Sequence, residues 1–213
     1  VQNINSRNTN VILGRINRLW FGKPYFEDQL LGHTFRISLN SFYQVNPFQT
    51  AKLYQIAIQT ADLSSNDVVI DAYCGIGTIS LSVAHLVKKV YGVEIVPRAV
   101  KDAKVNARIN QVTNVRFVTN RAENQMPKWL KQGVRPDVIF VDPPRKGLAA
   151  SFIQSAVQVH PQRIVYISCN PATLVRDLGR FSKLGYRVAQ PIQPVDQFPQ
   201  TTQIESVTCL VRI

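Results

Sequence analysis

The chain has 213 residues, 45% hydrophobic and 18% charged, which fits one domain or at most two with enough apolar material for a core. That balance excludes wholesale disorder, and ten Gly and twelve Pro scattered along the chain exclude a low-complexity polymer. Twenty-five Lys and Arg against thirteen Asp and Glu give +12, so a polyanion, nucleic acid first, is the expected partner, with solubility charge as the plainer alternative.

The longest aliphatic runs, Val138–Val141 and Ile164–Ile167, are far too short for a membrane span. No basic-then-apolar run opens the sequence. Three cysteines without a CxxC pair support neither a disulfide framework nor a zinc or iron–sulfur site. A reducing, cytoplasmic setting is expected, with no metal and no membrane. Met126 is the only methionine, so the chain is expected to be part of something longer.

In chain order, Val11–Leu13 and Phe35–Ile37 are short strand-like pieces punctuated by Gly14, Gly22, Pro24 and Gly32. Residues 1–40 therefore read as the tail of a β-rich module, and 41–213 as a second unit. Asn46-Pro47 is a helix start, and apolar residues from Leu53 to Ala61 recur at helical spacing. From Val68 the pattern alternates. Strands are predicted at 68–70, 89–93, 115–118, 137–141 and 164–167. Helices are predicted at 78–86, 97–110, 122–131, 149–159 and 171–184. This is the pattern of βαβ units on a parallel sheet. Tyr186–Ala189 and Ser206–Ile213 close the chain without a helix between them, so they are read as antiparallel neighbours. The expected fold is α/β, a doubly wound sheet of seven strands.

Four segments can carry chemistry. Asp71-Ala72-Tyr73-Cys74-Gly75-Ile76-Gly77-Thr78 joins the first strand of the alternating region to its helix, where an open parallel sheet binds ligands. Glu94 ends the next strand, at the spacing where an acid grips ribose hydroxyls. A sharp turn with a surface acid is the blander reading. The pattern implies an adenosine-containing cofactor without choosing between nicotinamide and S-adenosylmethionine. Asp142-Pro143-Pro144-Arg145-Lys146-Gly147 follows the fourth strand; two prolines stiffen it around Asp142, and Arg145 and Lys146 would suit phosphate. Ser168-Cys169-Asn170-Pro171 puts a thiol at a helix start, where amides and dipole are expected to lower its pKa from about 8.5. Cys74 and Cys209 read as small buried cysteines. Finally, Glu205 opens an otherwise apolar strand; if buried, its raised pKa would make it a base.

Taken together with Phe42-Tyr43-Gln44-Val45-Asn46 and Phe198–Glu205, these motifs resemble the S-adenosylmethionine-dependent RNA uracil-5-methyltransferases over nearly the whole chain. The resemblance implies a class I, Rossmann-like methyltransferase fold whose C-terminal strand is antiparallel. It implies S-adenosylmethionine contacts at Gln44, Tyr73, Gly75, Thr78, Glu94 and Asp142. It implies Cys169 as nucleophile and Glu205 as base; RNA phosphate contacts at Arg145 and Lys146 are expected from the +12 charge and their place after Pro144. Residues 1–40 then correspond to the remnant of a central RNA-binding domain, and the enzyme is expected to be a monomer. The ribosomal-RNA branch is closer than the transfer-RNA branch. The chain departs from the family pattern at Gln203, where histidine is usual, at Thr78, where some members carry Asn, and in lacking the N-terminal RNA-binding domain and the cluster cysteines. Two alternatives remain: methylation of another atom or of a tRNA uridine, and a non-catalytic RNA-binding module with an inherited pocket.

Overall fold

In a computed structural model the described residues are 1–6, 8, 13, 14, 16–39 and 41–213. Val11 and Ile12, most of the first expected strand, lie outside them. The chain begins with two small antiparallel pairs: β1 (Gln2–Ile4) with β2 (Ile16–Arg18), and β3 (Tyr25–Leu30) with β4 (His33–Ser38). Sequence reading found only the middle of β4. Glu27 and Asp28 interrupt β3, and its turn is Leu31-Gly32, with φ of 49° and 77°. Two left-handed residues give the turn that suits strand twist, but Leu in the first place hides the usual Asn-Gly signal.

Helix α1 (Pro47–Ala61) follows, then the alternating body. Its elements are β5 (Val68–Ala72), α2 (Thr78–Ala84), β6 (Lys89–Glu94), α3 (Pro97–Ile109), β7 (Val115–Thr119), α4 (Ala122–Lys131), β8 (Val138–Val141), α5 (Ala150–Gln158), β9 (Arg163–Ser168) and α6 (Pro171–Ser182). The chain ends with β10 (Tyr186–Val188), β11 (Gln193–Val195) and β12 (Glu205–Arg212). The sheet runs β10-β12-β9-β8-β5-β6-β7. Strands β5 to β9 are mutually parallel, and β12 lies antiparallel to β9. The expected seven positions are present. An eighth strand, β11, shares the edge of β12 with β10: it pairs with the beginning of β12 and β10 with the end. A Pro- and Gln-rich segment concealed it, because Pro194 is tolerated only on such an edge.

Two apolar layers cover the sheet. Leu53, Ile79, Val100 and Phe117 pack on one face, with α1, α2 and α3. Met126, Trp129, Phe152 and Phe181 pack on the other, with α4, α5 and α6. Leu30, Phe35 and Ile37 of the hairpin join the first layer. Among the described residues no helix is long and apolar enough to cross a membrane.

The hairpin is fastened by polar bonds as well. The backbone amides of Thr34, Arg36 and Ser38 donate to the side chains of Asn110, Asn106 and Asp102, at 2.8, 2.7 and 3.2 Å. Acceptors four apart on a helix rise about 6 Å, and alternate strand residues advance about 6.8 Å, so α3 satisfies the strand edge in register. Asn106 Nδ2 also donates to the carbonyls of Arg36 and Ile76, which ties the hairpin to the loop after β5. Asn106→Ala orphans those three backbone groups. It should cost roughly 2–4 kcal/mol in urea unfolding and expose the Arg36 amide to hydrogen exchange. Lys104→Ala, two residues back on the exposed face, should cost less than about 0.5 kcal/mol.

Candidate active site

The order of the parallel strands reverses between β5 and β8, and a crevice forms there beyond their carboxyl ends. It is a cavity of about 650 Å³, the size of a nucleoside-type ligand site. All ten candidate residues line it: Gln44, Tyr73, Gly75, Thr78, Glu94, Asp142, Arg145, Lys146, Cys169 and Glu205. They come from six separate stretches of the chain.

The loop after β5 turns sharply. Tyr73, Gly75 and Gly77 all have positive φ, at 67°, 53° and 88°. For Tyr73 the left-handed conformation costs about 1–2 kcal/mol; its ring packs on Phe152, with centroids 5.4 Å apart. Asp71 braces the loop from below by accepting bonds from the amide and hydroxyl of Ser80. Glu94 braces it from the side. One carboxylate oxygen accepts from Gly75 N at 3.2 Å, the other from Val96 N at 2.8 Å. A rigid carboxylate at the lip of the cavity can still accept from ligand hydroxyls on its free lone pairs. Thr78 opens α2, and its hydroxyl lies 3.3 Å from that of the buried Tyr54.

Gln44 is buried in the segment leading to α1. Asn46 caps that helix by accepting from Gln49 N, and its amide donates to Gln197 O at 3.1 Å. Gln197 in turn donates to Thr50 Oγ1 at 2.9 Å. The segment that carries Gln44 is thus fastened to the chain just before Phe198, another wall residue.

On the far side α6 holds the loop after β8. The Arg145 carbonyl accepts from Asn170 Nδ2 and Thr173 Oγ1, and the Lys146 carbonyl from Arg176 Nη2. Fully buried Asp177 accepts from Leu148 N at 2.7 Å and from the Tyr166 hydroxyl of β9 at 2.9 Å. Arg176 and Arg180 balance its charge. Gly147, with φ of 71°, packs so closely that a Cβ would strike Asp177 and Arg176. This clamp fixes Asp142 and Arg145 relative to Cys169.

The electrostatics partly reverse expectation. Glu205 is 3% exposed, and its Oε2 has no hydrogen-bond partner among the described residues. Burial pushes its carboxyl up from 4.5 to about 7, against the pull of Arg145. Asp142 is also raised to about 7, by burial and then by Glu205. Asp71 rises to about 7 by burial, with Asp142 and Glu94 adding to it. The Cys169 thiol is pushed up, not down. Burial leads, and the carboxylates of Glu205 and Asp142 outweigh the backbone amide and Arg145. The helix start was read correctly, but the two acids that fold against it were not visible in its local sequence. Cys74 and Cys209 are buried and free, as read.

Sequence reading missed other wall residues. Asn120 and Arg121 line the cavity after β7, and Phe42, Tyr54 and Ile95 also face it. The rule that loops at the carboxyl ends of parallel strands build the site could have found Asn120 and Arg121, since they follow the third parallel strand. Nothing local marks Tyr54, which lies among ordinary core positions of α1.

A sequence model of the tRNA (Uracil-5-)-methyltransferase family matches residues 10–213. An uncharacterized RNA methyltransferase of Lactiplantibacillus plantarum is 61% identical over 212 residues, covering 100% of this chain and 46% of the relative. A Streptococcus agalactiae protein of the same description is 57% identical, covering 100% and 47%. The chain thus spans about half the length of the curated relatives it matches. Among solved structures, the tRNA (uracil-54, C5)-methyltransferase of Pyrococcus abyssi, in complex with S-adenosyl-L-homocysteine, superposes with a TM-score of 0.80. The two are 30% identical, and the match covers 98% of this chain and 50% of that one. The chain belongs to the tRNA (uracil-5-)methyltransferase family.

Proposed function

We propose that this chain is the catalytic part of an enzyme that transfers a methyl group from S-adenosylmethionine to C5 of a uridine in RNA through a covalent cysteine adduct. The observation that carries the reading is the meeting of Cys169 with buried Glu205 in one cavity that has an acidic interior and a cationic rim. The donor supplies an electrophilic methyl on a sulfonium cation. Asp71, Asp142, Glu94 and Glu205 suit a positively charged ligand inside, while Arg145 and Lys146 at the mouth suit phosphate outside. Glu94 would hold ribose hydroxyls, and Gln44, Tyr73, Gly75, Thr78 and Asp142 would enclose the rest of the donor. Residues 1–40 are read as the end of a preceding RNA-binding domain. Ribosomal RNA is the first substrate to test and tRNA the second.

The chemistry explains the residues. Uracil C5 alone is a poor nucleophile. Once deprotonated, the Cys169 thiolate adds to C6, and the electron pair of the C5–C6 bond moves into an enolate. C5 then attacks the methyl carbon in line, and the carbon–sulfur bond breaks to leave a neutral thioether. Glu205 removes the remaining C5 proton, the double bond reforms, and the thiolate leaves. Covalent catalysis divides one difficult step into easier ones. The base must be flipped out of its stack to reach the thiol, at a cost of a few kcal/mol.

Four outcomes test this. Labelled methyl from S-adenosylmethionine should appear in 5-methyluridine of 23S rRNA or tRNA with the full-length protein. Cys169→Ala should abolish both methylation and adduct, whereas Glu205→Gln should add and methylate but stall, leaving an RNA-linked protein on denaturing gels. Normal turnover of Glu205→Gln would overturn the assignment of the base, and full activity of Cys169→Ala would point to methylation of another atom. In calorimetry, Glu94→Ala should weaken S-adenosylhomocysteine binding by about 1–3 kcal/mol.

Glu205 also sets a pH dependence. Its raised folded-state pKa means that the protonated carboxyl favours the fold. That contribution is complete below about 4.5 and is lost as pH rises through about 7. Glu205→Gln should therefore have little effect on unfolding free energy near pH 4. At pH 8 it should stabilise the ligand-free protein by roughly 2–3 kcal/mol. Methylation by the wild type should rise through pH 7 as Glu205 becomes a base.

A further inference from the structure

Helix α3 buries one face on the sheet and under the hairpin, through Ala99, Val100, Ala103 and Asn106. Its exposed face carries Arg98, Lys101, Lys104 and Arg108 and no acid. Arg98 is committed locally, donating to Ser38 Oγ and facing Asp102. Lys101, Lys104 and Arg108 make no ion pair among the described residues.

This arrangement works against helix stability. Like charges three and four residues apart repel. Cations in the first turns oppose the helix dipole, which favours acids there, yet the first turn of α3 has none. Only Arg108, near the C-terminus, is well placed. Stability alone would favour mixed charge on such a face, so the cations point to an external polyanion. The helix also starts at the cavity: Ile95 lines the wall, and Pro97 begins α3 two residues later. The three cations then lead away from the mouth.

Resting on the proposed function, we propose that the exposed face of α3 is a phosphate track. Lys101, Lys104 and Arg108 hold the RNA backbone away from the flipped uridine, separately from the Arg145–Lys146 rim. The contacts are to phosphate, so they add affinity without reading bases.

The test uses the full-length protein bearing Lys101→Glu, Lys104→Glu and Arg108→Glu. A milder variant carries Gln at the same three positions. RNA binding to transcribed 23S rRNA and to tRNA is measured by filter retention over a salt series, independently of methylation. The expected result for the Glu variant is at least tenfold weaker binding at 150 mM salt. In both variants the slope of log affinity against log salt should be shallower by about 2–3, one phosphate contact per cation lost. S-adenosylhomocysteine affinity and the methylation rate at saturating RNA should be unchanged. The Gln variant should melt at the same temperature or higher, because it removes the like-charge repulsion and the cations of the first turns. Wild-type affinity and slope in both variants overturn the track. So does a fall in melting temperature in both, which would mean the face packs against protein. A wild type that binds RNA but makes no 5-methyluridine overturns the proposed reaction and leaves the track to be judged by the same binding curves.

Discussion

The site depends on one buried carboxylate that does no chemistry. Asp177 accepts from the Leu148 amide at the end of the loop after β8, and from Tyr166 in the strand that delivers Cys169. Loop, strand and helix therefore share one anchor. An isolated buried charge would be expensive, but Arg176 and Arg180 lie on the same helix and pay back the desolvation. The same arginines bond the backbone carbonyls of Lys146 and Leu148. The two prolines stiffen the loop but cannot donate bonds of their own, so beyond the Gly147 amide on the Pro144 carbonyl it is held by these outside partners.

A second constraint acts on charge. The protein is strongly basic, yet Asp71, Asp142 and Glu205 are gathered on one cavity and each is raised to about 7. Burial is the largest cause for all three, so the cavity is held at a cost in the ligand-free state. A cation entering it would lower those pKa values and recover part of that cost. Outside, the cations lie on the rim and along α3, where water solvates them and a polyanion can reach them. The division of charge between interior and surface matches a positively charged small ligand and a negatively charged large one.

Much of this was legible locally. The alternation of short apolar runs with amphipathic helices determines a parallel α/β sheet, and Asn46-Pro47 and Asn170-Pro171 mark two helix starts that are capped as read. The glycines and Glu94 locate the crevice because their spacing reflects a strand, a turn and a helix of ordinary length. Less legible were β3 and β11. The first carries acids and turns on Leu31; the second contains a proline. Neither follows strand propensity, and both form because a partner strand or helix supplies what the segment lacks.

The sequence by itself determined the order of the elements from α1 to α6, the candidate residues and the sign of the surface charge, since these follow from local patterns and composition. Tertiary structure alone decided the state of the site. Cys169 sits at a helix start that would favour a thiolate, yet burial in the cavity, with Glu205 and Asp142 brought in from other strands, reverses the balance. Long-range electrostatics in a water-poor cavity depend on distance and burial, and neither is written in the neighbours along the chain. The clamp on the loop after β8 and the edge of β4 satisfied by Asn106 are of the same kind. Each is a hydrogen bond between segments far apart in sequence, and only the folded chain brings its donor and acceptor together.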